Sequence, residues 1–286
     1  MRKIKDNTSL IDVDKAWVTL YSRLENEQLL IDESENSSYN KRKIPMKWVV
    51  IAAAICAGFI FSIFYFPKNR DNSIVFFQNK ENSGTLVTSL EDGSTVYLAS
   101  NASISFPSAF ANNQRKVELS GNALFCVEKD EKRPFVVESN GITIEVKGTI
   151  FAIHSSPVSL FELSVKQGKV NVYTNNDKTA VPVEAGETIK QNTDGLSKSE
   201  ITNPRIFDYF TDKMCFKDEK LNNIVHAINT IYGFPVIITE MEINNRILTV
   251  TFENDTVETM TELICMALNL EQINKQDTIV IRQFSK

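Results

Sequence analysis

The stretch Arg115-Lys116-Val117-Glu118-Leu119-Ser120-Gly121-Asn122-Ala123-Leu124-Phe125 decides how the body of the chain is read. Val117 and Leu119 alternate with Lys116 and Glu118, the period of a strand with one buried face. Ser120-Gly121-Asn122 breaks the run, and a second apolar run, Ala123 to Glu128, follows at once. A strand, a tight turn and a strand are predicted. Working outward, the same unit recurs. Leu86–Leu90 and Thr95–Leu98 flank Glu91-Asp92-Gly93-Ser94; Phe135–Glu138 and Ile142–Val146 flank Asn140-Gly141; Lys166-Gln167-Gly168-Lys169 separates two more runs. No helical period survives between Ile74 and Thr202. Many short strands at close spacing predict an all-β domain over 80–202, a sandwich or a related stack.

After Asn203-Pro204 the helical period returns. Leu221, Ile224, Val225, Ile228, Ile231 and Tyr232 form one helix face, ended by Gly233 and Pro235. Short strands are predicted at Val236–Thr239 and Ile247–Phe252. Asp255-Thr256-Val257-Glu258 offers a capping box for a second helix. Leu270–Ile273 and Thr278–Ile281 close the segment as a hairpin. Residues 203–286 therefore read as a small α+β domain, either a stable cap or a module whose edge strand pairs with a partner.

Upstream, Trp48 to Phe66 runs for nineteen residues without a charged side chain. At ~1.5 Å per helical residue it covers about 28 Å, close to the ~30 Å of a bilayer core. Pro67 stops it, and Trp48 and Tyr65 sit where aromatic rings prefer the headgroup zone. Lys41, Arg42, Lys43 and Lys47 precede the run, which puts the N-terminus in the cytoplasm. A leader of this length with a bulky Ile63-Phe64-Tyr65-Phe66 end is no cleaved signal peptide. Residues 1–46 are expected as a cytoplasmic arm, 47–66 as a transmembrane helix and 67–79 as a linker.

The arm carries one amphipathic helix, roughly Asp12 to Leu30, with Val13, Ala16, Trp17, Leu20, Tyr21 and Leu24 on one face. An arm this short cannot bury a core alone, so the stripe needs a helical hairpin, another copy or a partner. Eight acidic residues lie between Asp6 and Ser38 against Lys15 and Arg23. That charge suits a partner with a basic face, although such a run also simply keeps a segment soluble.

The 286 residues carry a net charge of -5 with a pI near 5.3, which gives no general attraction to nucleic acid. Two histidines, His154 and His226, leave little material for zinc sites or His-dependent triads. Both are expected to face solvent, and Glu128 to Arg133 reads as a solvated charge run. Cys56, Cys126, Cys215 and Cys265 show no metal spacing and read as free thiols, with a Cys215–Cys265 bridge left open. No P-loop or dinucleotide-binding motif is present. The chain is read as a non-enzyme without cofactor, metal or catalytic residue.

Several of these pieces together resemble the FecR protein domain of iron-dicitrate-sensor regulators. They are Asp92 to Ala99, Phe106-Pro107 with Phe110, Arg115 to Phe125, Arg133 to Val137, Val146 to Phe151, and Gln167 to Val170 with Ala185-Gly186-Glu187. The C-terminal part resembles the small domain that follows FecR domains in Bacteroidota-type regulators, through Phe216 with Leu221, Tyr232-Gly233, Phe252 and Ile279 to Ile281. Its layout is similar to the short N-terminal modules of secretins and TonB-linked receptors. The resemblance implies a transmembrane anti-sigma factor that relays a signal from a TonB-dependent outer-membrane receptor to an extracytoplasmic-function sigma factor. Trp17, Leu20 and Leu24 would be the sigma-binding row. A membrane-tethered module that binds glycan or cell wall is the alternative.

Overall fold

The computed structural model describes residues 13–26, 73–155, 161–175, 177–192, 195–232 and 237–284. The chain forms two compact units, Met1–Lys68 and Asn69–Lys286. In the first, a helix α1 runs Val13–Asn26. The apolar run Trp48–Phe66 lies outside the described residues, and among those that are described no helix is long and apolar enough to cross a membrane.

The second unit opens with fourteen strands: β1 (Ile74–Gln78), β2 (Thr85–Ser89), β3 (Thr95–Leu98), β4 (Ser103–Pro107), β5 (Arg115–Ser120), β6 (Ala123–Cys126), β7 (Phe135–Ser139), β8 (Ile142–Val146), β9 (Ile150–His154), β10 (Glu162–Gln167), β11 (Lys169–Thr174), β12 (Asp177–Glu184), β13 (Glu187–Asn192) and β14 (Gly195–Glu200). A small α+β segment follows: β15 (Lys213–Lys220), α2 (Leu221–Tyr232), β16 (Ile237–Thr239), β17 (Ile247–Glu253), α3 (Val257–Leu268), β18 (Glu271–Lys275) and β19 (Thr278–Arg282).

Among the described residues the strands form three sheets. One is ordered β1-β4-β5-β7-β8-β11-β12, one β14-β13-β10-β9-β6-β3-β2-β15-β17, and one β16-β19-β18. The second sheet crosses from the all-β part into the α+β part. Strand β15 lies parallel to β2, with Met214, Cys215 and Phe216 opposite Thr85, Leu86 and Val87.

This nine-stranded sheet is the middle layer. Along β3, Val96 and Leu98 enter the core shared with the seven-stranded sheet, while Tyr97 points the other way into the core under α2 and α3. Strand β6 divides likewise, with Phe125 on one side and Leu124 and Cys126 on the other; β9 does the same with Phe151 and Ala152. A period-2 strand presents alternate residues to opposite faces, so a run apolar at every position fits only where both faces are covered. Strands β7 and β8 of the seven-stranded sheet alternate buried and half-buried positions, as a strand covered on one face does.

Local signals place the elements. The turn between β5 and β6 needs Gly121, whose φ is +93° and where a Cβ would sit 2.9 Å from the Ala102 Cα. On α2, Leu221, Ile224, Val225 and Ile228 are buried, and Tyr232 at its end is exposed. Helix α3 departs from the expected capping box. Thr256 is the cap and its hydroxyl accepts the Thr259 N–H at 3.3 Å, whereas the Asp255 carboxylate accepts the Glu253 N–H at 2.9 Å. The helix ends at Asn269 in the left-handed region, φ 51°.

One buried polar contact ties the middle sheet to the helical layer. The Tyr97 hydroxyl donates to the Ala227 carbonyl of α2 at 3.0 Å, and Tyr97 is fully buried. Tyr97→Phe keeps the ring and removes that bond, so it should cost roughly 0.5–1.5 kcal/mol. Thermal unfolding should fall by about 2–4 °C per kcal/mol for a unit of this size; an unchanged midpoint would remove the contact from the account.

Candidate functional site

Helix α1 carries Trp17, Leu20 and Leu24. Trp17 is 58% exposed and Leu20 47%, with Val18 and Tyr21 also exposed. Trp17, Leu20 and Leu24 stand three and seven residues apart and so share a face of this helix; the Leu24 side chain lies outside the described residues. Asp14 in the first turn and Arg23 in the last complement the helix dipole. A face of this kind offers apolar area with aromatic anchors, the usual centre of a protein interface.

In the second unit, polar chemistry gathers around Arg115 at the start of β5. Arg115 is fully buried; its Nη1 donates to the Asp92 carboxylate at 2.7 Å and to the Glu128 carbonyl at 2.9 Å, and its Nε donates to the Arg133 carbonyl at 2.9 Å. The guanidinium carbon stands 5.4 Å from the centre of the Phe135 ring. Asp92 also accepts the Ser94 hydroxyl at 2.7 Å, and that hydroxyl accepts the Glu128 N–H at 3.0 Å. The Asp92-Gly93-Ser94 turn, Arg115 and the loop before β7 are thus pinned to one another. Both charged side chains are 97% or more buried, which leaves no room for a substrate, and the Arg115 Nη2 is buried without a hydrogen-bond partner among the described residues.

The expected solvated run is therefore partly structural. Glu128 and Arg133 lend their carbonyls to Arg115, and Asp130 folds the loop by accepting the Lys132 and Arg133 N–H groups at 2.9 and 3.1 Å. The Arg133 side chain and these two N–H groups hold the Asp130 carboxyl down to about 2.

One of the two histidines differs from expectation. His226 on α2 is part-exposed and its Nε2 stands 3.2 Å from a Glu128 carboxylate oxygen. His154 was expected at the surface, but Tyr209 and Phe210 cover it, with ring centres 6.3 and 5.4 Å away. The cause is the second buried face of β9. Its Nε2 is buried without a hydrogen-bond partner among the described residues. Burial lowers its pKa below 6.5; Glu162 opposes the shift and Lys190 adds to it.

Cys126 and Cys265 are buried free thiols and Cys215 is a half-buried one. Burial pushes Cys126 up to about 12 and Cys265 to about 11, away from nucleophilic use. Among the described residues no group of three His, Cys, Asp or Glu side chains is placed to hold a metal. Among the described residues the surfaces left for partners are the α1 face and the sheet edges β1, β12, β14, β17, β16 and β18.

Comparison with known proteins agrees with this geometry. The FecR protein family matches residues 81–187, the span from β2 to the start of β13, and the FecR C-terminal family matches 213–281, from β15 into β19. The two together cover more than half of the chain. The chain belongs to the FecR family. The pinned turn and Arg115 lie within the FecR match, and the β2–β15 pair joins that match to the C-terminal one. Two crystal structures, at 1.65 Å and 2.50 Å, of a candidate anti-sigma factor from Parabacteroides distasonis ATCC 8503 are similar. Each is 21% identical over 74% of this chain and 100% of that one, with TM-scores of 0.45 and 0.46. No curated protein matches the chain.

Two outcomes follow from the polar groups. Asp92→Ala strands a buried guanidinium and should cost about 3–5 kcal/mol in denaturant unfolding. Lys116→Ala removes an ion pair more than two-fifths exposed on each side and should cost under about 1 kcal/mol. Comparable losses would contradict the burial argument. For His154, the unfolded chain binds more protons than the folded one between the lowered pKa and 6.5. Stability should therefore rise with pH through that window. An NMR titration placing the imidazole midpoint at or above 6.5 would contradict it.

Proposed function

We propose that this FecR-family chain is a single-pass inner-membrane anti-sigma factor. Its arm, residues 1–46, holds an extracytoplasmic-function sigma factor in the cytoplasm through Trp17, Leu20 and Leu24. Residues 47–66 cross the bilayer. A short linker after residue 66, the FecR domain, whose strand β1 begins at Ile74 rather than after a linker over 67–79, and the C-terminal domain over 203–286 lie in the periplasm, where they sense an occupied TonB-dependent outer-membrane receptor. The chain works by binding alone; it contacts no nucleic acid directly and needs no cofactor.

The observation that carries the reading is the exposed Trp17–Leu20 row on α1, outside the span of the FecR match. The uncharged run Trp48–Phe66 lies in sequence between α1 and the FecR match. Its basic flank on the N-terminal side supports the orientation. The acidic excess of the arm supports a basic partner, since covering the phosphate-contacting face of a DNA-binding protein silences it without any contact to DNA.

The test is co-purification of the full-length chain, in detergent, with the sigma factor encoded nearest to its gene. The wild type should retain the sigma factor, and Trp17→Ala/Leu20→Ala should lose it, with transcription of the neighbouring transporter operon deregulated in cells. Equal retention by the double variant, with unaltered transcription, would refute the arm as the sigma-binding element.

A further inference from the structure

Strand β1 reads Ile74-Val75-Phe76-Phe77 before Gln78, apolar at each of these successive positions. Val75 and Phe77 pack against the core of the seven-stranded sheet, where the Phe77 ring stacks on Phe106 with centres 6.1 Å apart. Ile74 and Phe76 point to the opposite face and are 67% and 61% exposed. In β3, β6 and β9 a run of this kind carries protein on both faces. On β1 no part of the chain covers the second face among the described residues.

The register continues this face onto β4. Ile74 stands opposite Pro107, Phe76 opposite Ser105 and Gln78 opposite Ser103. The strip carries no charged side chain and is apolar at its Ile74 end. Charge begins one strand further on, at β5, where Lys116 pairs with Glu138 of β7 at 2.8 Å and Glu118 accepts the Ser105 hydroxyl at 3.4 Å. Strand β1 is the end of its sheet, with β4 as its one neighbour among the described residues.

Chain length identifies the cover. The uncharged run ends at Phe66, and seven residues separate it from Ile74. Seven residues reach at most about 25 Å. That is less than the width of the sheet, roughly 29 Å for strands spaced at ~4.8 Å. The headgroup layer takes up about 5–7 Å of that reach. The exposed face of β1 therefore stays within a short step of any bilayer that the run crosses. A tether this short gives a high effective concentration, at which even a weak apolar contact is populated. A soluble partner has no such advantage.

Resting on the transmembrane reading of 47–66, we propose that the outer face of β1 is a membrane-contact surface. Ile74 and Phe76 enter the periplasmic headgroup layer of the bilayer that the span crosses, with Pro107, Ser105 and Gln78 at the lipid boundary. The charged side chains of β5 and β7 keep the rest of that face in water.

The experiment uses the full-length chain carrying Trp17→Phe and Trp48→Phe, so that one introduced tryptophan reports. It is reconstituted in phosphatidylcholine and phosphatidylglycerol vesicles, with and without phosphatidylcholine brominated near the headgroup end of its acyl chains. With Phe76→Trp, emission should lie to the blue of a water-exposed indole and fall at least twofold in the brominated vesicles. Adding Ile74→Glu should cut that quenching at least threefold. Tyr173 lies on the same face, in the row that runs from Phe76 through Ser105, Glu118, Glu138 and Thr143 to β11. With Tyr173→Trp the emission should be unquenched. Water-like, unquenched emission from Phe76→Trp would overturn the membrane contact and leave the transmembrane reading standing. Blue-shifted but unquenched emission would overturn it in favour of a protein cover, such as a second copy. Equal quenching in the Phe76→Trp and Tyr173→Trp chains would overturn its restriction to β1. Release of the wild-type chain from the vesicles by alkaline carbonate would overturn both readings.

Discussion

The parallel pairing of β2 with β15 is the constraint on which the rest of the second unit depends. It extends the FecR sheet into the C-terminal segment, so that α2, α3 and the three-stranded sheet build their core on the back of β3, β6 and β9 rather than around a sheet of their own. Tyr97 belongs to the first family match and reaches into the second. Strands β3, β6 and β9 thereby bury both faces, which at about 1.5–3 kcal/mol per large apolar side chain is a strong tie between the two segments.

The Arg115 network does for the loops what the shared sheet does for the layers. A fully buried guanidinium is tolerable only when paired and hydrogen-bonded. Its donors draw the Asp92 turn and the loop before β7 into fixed positions at one end of the sandwich. This accounts physically for the FecR-like pieces Asp92-Gly93-Ser94, Arg115 and Arg133-Pro134-Phe135. They are distant in sequence and are joined here through one side chain. The polar residues in them are scaffold, and the surfaces that meet partners lie elsewhere.

Much of the architecture was legible. Gly121, Asn140-Gly141 and Gly93 mark turns because their backbone angles exclude most other residues, and the order of strands and helices after residue 203 follows from a change of period. The shared sheet was not legible. Parallel pairing between residues this far apart leaves no local mark, and the only trace was compositional: Val96-Tyr97-Leu98-Ala99 and Leu124-Phe125-Cys126-Val127 are apolar at every position. His154 was misplaced for the same reason, since a second buried face turns an outward position inward. Asp92 and Arg115 look like surface charges until the fold brings them together. For the candidate sites, the Trp17 and Leu20 row followed from helical spacing, whereas the exposed face of β1 needed its register with β4.

A FecR segment and a C-terminal segment that share one sheet cannot move freely against each other, so a load on either acts on a single body. Native-state hydrogen exchange on the full-length chain tests that claim most directly. Amides of β2, β15 and α2 should exchange only through the same global opening as those of β3 and β6. Exchange of residues 213–281 through a separate, lower-energy opening, with β3 and β6 still protected, would contradict it.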